Sequence, residues 1–239
     1  MGASMGTSKI EERYDRNFNT LSLEEQKTLG TSKVVVIGLG GLGGSVCEML
    51  ARVGIGHLTL IDGDVFEASN LNRQLLSEER LIGFPKAQAA KNRVNAINSE
   101  VKVRYFIEYL DESNLYERIK DADVVMDCLD SIDTRFKLQK SAQQASIPIV
   151  SGAIAGVAGQ VTTIFPDDKG YELIYGKKGR KQPKGVETRT GNIAYCAFFV
   201  AALQSSECLK VLLDRGDILR NKLLIAELWT NTFDIMDLV

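Results

Sequence analysis

Histidine is nearly absent from this 239-residue chain: His57 stands alone. The cysteines are four, Cys47, Cys128, Cys196 and Cys208, with no pair at C-x-x-C spacing and each in an apolar context. Paired zinc ligands are therefore missing, and four buried thiols in a reducing cytosol are the expectation. No grouping of His, Ser and Cys marks a hydrolase. Charge of one sign is also lacking, because 29 basic residues face 31 acidic ones. No global field draws the chain to nucleic acid or to an anionic membrane. The apolar runs are of strand length and fall short of the roughly 20 residues of a membrane span. The opening "MGASMGTSKIEERYDRNF" has no apolar signal core. A cytoplasmic protein without a membrane segment is expected, with residues 1–9 a disordered tail or a cloning remnant.

What is present is alternation. Val34–Ile37 is a β-branched run, the pattern of a strand buried on both faces. Gly38-Leu39-Gly40-Gly41-Leu42-Gly43 turns the chain, and a helix over Ser45–Val53 follows, ended by Gly54 and Gly56. Leu58–Ile61 is a second strand, closed by Asp62-Gly63-Asp64. Pro85 opens a helix through Ile97. Val101–Ile107 and Val124–Cys128 read as the third and fourth strands, with a short helix Leu115–Lys120 between them. A helix from Asp133 to about Ala145 leads to a fifth strand, Pro148–Ser151. This order predicts an α/β fold: a Rossmann-like, mostly parallel sheet with helices on both faces. After Ser151 the texture changes. Gln160–Phe165 and Tyr171–Ile174 read as a hairpin that extends the sheet antiparallel, and "KKGRKQPKGVETRTGN" reads as a surface loop. Ile193–Leu213 is a long helix of small and apolar residues, followed by strands Lys222–Leu228 and Thr232–Leu238. One domain over 10–239 is expected, with a first half 10–152 and an elaboration 153–239.

Gly38, Gly40 and Gly43 form G-x-G-x-x-G between a strand and a helix, with Gly41 among them. Such glycines let the backbone approach a phosphate at a helix N-terminus, and Asp62 stands where these folds bind a ribose hydroxyl. This much leaves a nicotinamide cofactor and a nucleoside triphosphate both open. The loop Asn70-Leu71-Asn72-Arg73-Gln74 and Lys86 favour the triphosphate. A guanidinium binds phosphate oxygens in a fork, and an ammonium neutralises charge that develops in phosphoryl or nucleotidyl transfer. Two solvated surface charges are the plainer reading. Asp130 follows a strand in "VVMDCLDS", at the sheet end where α/β folds bind ligands, and a carboxylate there can hold Mg²⁺. Asp127, inside the apolar run, is an alternative ligand. Helix capping is the alternative role for Asp130, and Asp133 is open to it too.

The set "RYDRNF", "GLGGLG", "LIDGDVFEASNLNRQ", "GFPKAQAAKNRVNAIN", "DCLDSIDTRF" and "SGAIAGVAGQVT" resembles the ThiF/MoeB/HesA family, relatives of the ubiquitin-activating enzymes. The resemblance runs from about Arg13 onward and is denser before Phe165. It implies ATP-dependent adenylation of the C-terminal carboxylate of a small β-grasp carrier protein ending in Gly-Gly, with release of pyrophosphate. It implies that the glycine loop, Asp62 and Asp64 bind the adenosine moiety, that Asn70, Gln74, Arg73 and Lys86 lie at the nucleotide, and that Asp130 binds Mg²⁺. Arg16 matches an arginine that family dimers supply across the interface, so a homodimer with two shared sites is implied.

Two departures matter. Zinc-bearing members carry two C-x-x-C pairs, and the matching stretches "ELIYGKKGRKQ" and "LWTNTFDIMDLV" contain no Cys, so a zinc-less member is expected. Where many members carry a cysteine in the crossover loop, this chain has Thr188 and Thr190. Adenylation without an enzyme–carrier thioester is the expectation, with Cys196 buried and inert. The loop Lys177–Lys184 is either a clamp for the carrier tail or a solvated flap. A relative that dehydrates threonylcarbamoyladenosine in tRNA is the alternative close in chemistry, and the neutral charge balance speaks against it. A nicotinamide-dependent oxidoreductase is the alternative from another class, and it lacks a placed proton donor, since His57 falls at the wrong edge of the sheet.

Overall fold

The computed structural model describes residues 12–177 and 190–239. Most of loop 177–184, and Thr188, lie outside the described residues. After an N-terminal segment, Ser22 opens helix α1 (Leu23–Thr31) with a capping box to Glu25, each residue satisfying the other's backbone N–H. Strand β1 (Lys33–Ile37) and helix α2 (Gly41–Val53) follow, then β2 (His57–Ile61), α3 (Lys86–Ile97), β3 (Lys102–Phe106), a short α4 (Leu115–Ile119) and β4 (Val124–Asp127). Helix α5 (Ile132–Ala145) leads to β5 (Ile149–Ala155) and β6 (Ala158–Ile164). Helices α6 (Tyr171–Tyr175) and α7 (Ala194–Leu213) precede β7 (Lys222–Glu227) and β8 (Thr232–Asp237).

The strands form one eight-stranded sheet in the order β3-β2-β1-β4-β5-β6-β7-β8. The first five are parallel, and β6, β7 and β8 continue the sheet antiparallel. Alternation along β1 divides the core. Val34 and Val36 pack with α2, α3 and α7 on one face, while Val35 and Ile37 pack with Leu115, Leu138 and Tyr171 on the other. A strand covered on both sides needs apolar residues at every position, which is why β1 reads as an unbroken run. Because the chain leaves β1 toward β2 and later returns beside β1 as β4, the sheet order reverses there. A crevice opens at the carboxyl ends of these two strands.

Three expectations are corrected. Tyr171–Ile174 is helical, and the hairpin is instead β5–β6, with β5 running on to Ala155. The helix is fixed from outside: the buried Tyr171 hydroxyl donates to Asp127 at 2.6 Å, and its ring meets Phe136 edge-on. The cap of α5 is Ser131, whose hydroxyl accepts from the Thr134 N–H, so neither Asp130 nor Asp133 fills that role. Finally, α7 is a 20-residue helix of mean hydropathy 1.5, long and apolar enough by composition to cross a membrane. It is packed on α2 and the sheet, with Gln204 and Glu207 buried among its inward residues.

Candidate active site

The crevice is a cleft of about 900 Å³. Its walls bring together Gly38, Gly40, Gly41, Asp62, Asp64, Asn70, Arg73, Gln74, Lys86 and Asp130, all expected from the sequence. Gly43 sits beneath the turn, where a Cβ would lie 1.7 Å from the Gly38 carbonyl oxygen. Gly38 has φ +82°, and a side chain there would meet the Cys128 carbonyl at 2.7 Å. Close approach of backbone to backbone thus demands glycine at both positions.

Asp62 ties this turn to the end of β2. One carboxylate oxygen accepts from the Leu39 N–H at 2.6 Å and the other from the Asp64 N–H at 2.8 Å. Burial pushes its carboxyl above the ordinary range, and the two backbone N–H groups offset part of that rise. Each oxygen keeps a lone pair to offer a ligand hydroxyl.

Asp64 accepts from Lys86 Nζ at 3.0 Å and from the Tyr109 hydroxyl at 2.7 Å. Burial acts to raise its carboxyl, but these two hydrogen bonds outweigh it and hold the group below the ordinary carboxylate range. The lysine enters from the first turn of α3, behind Pro85, with its side chain 8% exposed and its ammonium group in the cleft. Arg73 extends over the loop, donating to the Ser69 carbonyl at 3.0 Å and to Asn72 Oδ1 at 2.8 Å. Asn70 is buried and accepts from the Glu67 N–H, which shapes the turn that carries Arg73. Gln74 Oε1 is buried at the cleft wall and has no hydrogen-bond partner among the described residues. An unsatisfied acceptor in that position suits a ligand with N–H or O–H donors, such as a nucleoside.

Asp130 is exposed at the rim. Asp127 is fully buried and committed to Arg135, Ser151 and Tyr171, which closes it to a metal ion. Among the described residues no three His, Cys, Asp or Glu side chains converge on one point. Arg16 is exposed, does not line the cleft, and has no hydrogen-bond or ion-pair partner among the described residues.

Sequence reasoning missed Tyr109, Arg135, Gln160, Tyr175 and Asn192, which also line the cleft. Tyr109 follows the carboxyl end of β3, so the sheet-end rule that pointed to Asp130 applied to it equally. Beyond β4 the lining includes the small residues Ala153, Ala155, Ala158 and Gly159, with Ile154 and Ile225 beside them.

The ThiF family profile matches residues 14–238. This chain belongs to the ThiF family. It is 35% identical over 236 residues to the SAMP-activating enzyme E1 of Haloferax volcanii, covering 98% of this chain and 87% of that protein. With the molybdopterin-synthase adenylyltransferase of Escherichia coli K12 it shares 31% identity over 231 residues, covering 95% and 92%. A crystal structure of E. coli MccB with ATP superposes on this ThiF-family chain with a TM-score of 0.82 at 24% identity, covering 95% of this chain and 71% of the other. PaaA superposes with a TM-score of 0.80 at 23% identity, covering 100% and 76%. At such identities the likeness establishes the fold.

Proposed function

We propose that this chain adenylates the C-terminal glycine carboxylate of a small ubiquitin-like sulfur-carrier protein, using ATP and releasing pyrophosphate. It is an ATP-dependent adenylyltransferase, as its relatives are by name. The observation that carries the reading is one continuous cleft with two characters. At one end stand the glycine turn, Asp62, Arg73 and Lys86, and at the other the small residues of β5 and β6. The first suits a nucleoside triphosphate, and the second leaves room for an extended tail of small residues.

In this reading the glycine turn and Asp62 hold the adenosine moiety, with Asp64 and Gln74 beside them, and Asn70, Arg73 and Lys86 hold the phosphates. The carrier carboxylate attacks the α-phosphorus, the bond from that phosphorus to the bridging oxygen breaks, and the electron pair leaves with pyrophosphate. A carboxylate is already ionised, so no general base is needed. Alignment and neutralisation of the leaving group account for catalysis. Mg²⁺ held at Asp130 would supply charge neutralisation at the phosphates. The exposed Asp130 carboxylate, on the same cleft as Arg73 and Lys86, fits a hard cation that takes its remaining ligands from phosphate oxygens and water.

Arg16 completes the site from a second copy, which makes the working form a homodimer. In support, Arg16 lies outside the cleft of its own chain and has no partner among the described residues. The enzyme works without zinc and without a thioester to the carrier, in keeping with the burial of Cys196.

Mg²⁺-dependent exchange of labelled pyrophosphate into ATP tests the reading, with recombinant Gly-Gly carriers present and absent. Exchange that requires a carrier and is lost in Asp130→Ala is expected. Binding of ATP without exchange on any carrier would defeat carrier activation and turn attention to a tRNA substrate.

A further inference from the structure

Helix α2 begins at the glycine turn and ends at Val53, and the last carbonyls of a helix have no partner within it. Two of them are taken by buried amide side chains. Asn98, 1% exposed, donates to the Ala51 carbonyl at 3.1 Å, and Gln26, 7% exposed, donates to the Val53 carbonyl at 2.8 Å. Each amide also reaches outward to the N-terminal segment. Asn98 donates to the Tyr14 hydroxyl at 2.8 Å and accepts from Arg13, while Gln26 accepts from Asn17 Nδ2 at 2.9 Å. The residues gripped, 13, 14 and 17, bracket Arg16.

Two buried amides therefore fix the chain on both sides of an exposed arginine that itself has no partner among the described residues. Their place in the fold gives this a direction. The 13 residues of α2, rising about 1.5 Å each, put the clamp roughly 20 Å from the glycine turn. Arg16 is thus held at the end of α2 remote from its own nucleotide loop.

We propose that Asn98 and Gln26 are positioning residues for Arg16, holding its backbone so that the guanidinium is presented to the cleft of a second copy of this chain. This rests on the role of Arg16 proposed above and adds the device that sets its reach. Holding the stem in advance spares ordering entropy when the pair of subunits closes on ATP.

The test uses the full chain carrying Arg13→Ala and Asn17→Ala together. These changes remove the bond to Gln26 and the Arg13 bond to Asn98, and leave the Tyr14 hydroxyl on Asn98 and both amides on their helix carbonyls, so the fold is retained while the grip is loosened on both sides of Arg16. Hydrogen–deuterium exchange over residues 12–21 should speed up, a readout that needs no carrier. In pyrophosphate exchange supported by a recombinant β-grasp protein ending in Gly-Gly, kcat should fall at least about tenfold, the scale of a small misplacement. The KM for ATP should change less than about twofold, because the cleft itself is untouched.

Mixing the double variant with Lys86→Ala should restore activity to about a quarter of wild type, since half the reassorted pairs hold one complete site of two. Unchanged hydrogen exchange, or an unchanged kcat, overturns the proposal. A loss that mixing does not restore, while Arg16→Ala is restored by the same partner, shows that the segment serves its own cleft and overturns it too. If Arg16→Ala alone loses no activity, the reading of Arg16 has failed and the positioning role falls with it. That result is distinct from a failure of the clamp alone.

Discussion

Asp127 and Arg135 form an ion pair 3.2 Å apart at the cleft wall, with side chains 0% and 3% exposed. The guanidinium also donates to the Leu129 carbonyl at 2.5 Å and to the Gly152 carbonyl at 2.7 Å, which ties the end of β4 to β5. The carboxylate accepts from Ser151 and Tyr171 as well. Removing one partner strands a charge in a dry interior, so Arg135→Met should destabilise the chain by about 3–5 kcal/mol. Adding Asp127→Asn to that variant removes the stranded charge, and part of the loss should return. Urea midpoints of the single and double variants check this. A double variant less stable than Arg135→Met would contradict it.

Lys86 stands where its loss should affect chemistry more than folding. Its stem is buried and its ammonium is 3.0 Å from Asp64, whose side chain is 49% exposed. Lys86→Met keeps the apolar stem and deletes only the charge. Pyrophosphate exchange should fall by about 10²–10³-fold, the usual cost of losing one preorganised stabilising group. A loss under tenfold would move phosphate neutralisation to Arg73 and to the Mg²⁺ that Asp130 would hold. The Asp64 carboxyl, deprived of its cation, should also rise toward the ordinary range.

Much of this was legible, and the rest was hidden for physical reasons. Strands β1, β2 and β4 announce themselves because they are buried on both faces, and the glycine turn, Asp62 and Lys86 because local spacing carries them. Tyr171–Tyr175 has too few residues to separate a period of two from one of 3.6, and tertiary anchors decided it. The apolar length of helix α7 is hard to see in the sequence because Gln204 and Glu207 interrupt the run. Both turn inward: Gln204 donates to the Asp127 and Val150 carbonyls, and Glu207 accepts from Thr163 and the Leu219 N–H. Arg135 and Tyr109 meet the site only through the fold, from separate elements, and no spacing rule joins them to Lys86.

The cysteines offer a test of the expected absence of a thioester. Three of the four thiols expected to be buried are so, Cys47, Cys196 and Cys208, while Cys128 is half-buried at the cleft. Desolvation pushes all four upward, away from the thiolate form that reacts. At neutral pH the native enzyme should react with a disulfide reagent far more slowly than the denatured chain. Rapid labelling of Cys196 in the native enzyme would remove the physical ground for excluding it as a nucleophile.

The Tyr109–Asp64 hydrogen bond should leave a two-sided signature in pH. The Asp64 carboxyl is held below its ordinary value of 3.8, so between the folded and unfolded values the unfolded chain binds more protons. Its stabilising share is present above that value and is lost as pH falls through the folded one. Tyr109 lies above its ordinary value of 10.0, chiefly because its hydroxyl donates to Asp64. Its share is present below that value and is lost as pH rises through the folded one. The thermal midpoint of Tyr109→Phe should therefore trail wild type across the neutral plateau. The gap should close in acid and again in strong alkali. The effect is small, because both groups reach solvent and the bond competes with water. Paired melts of wild type and variant at acid, neutral and alkaline pH read it directly. No gap at neutral pH would show that the ring's packing, which Phe keeps, and not the hydroxyl bond to Asp64, holds the carboxyl side of the cleft.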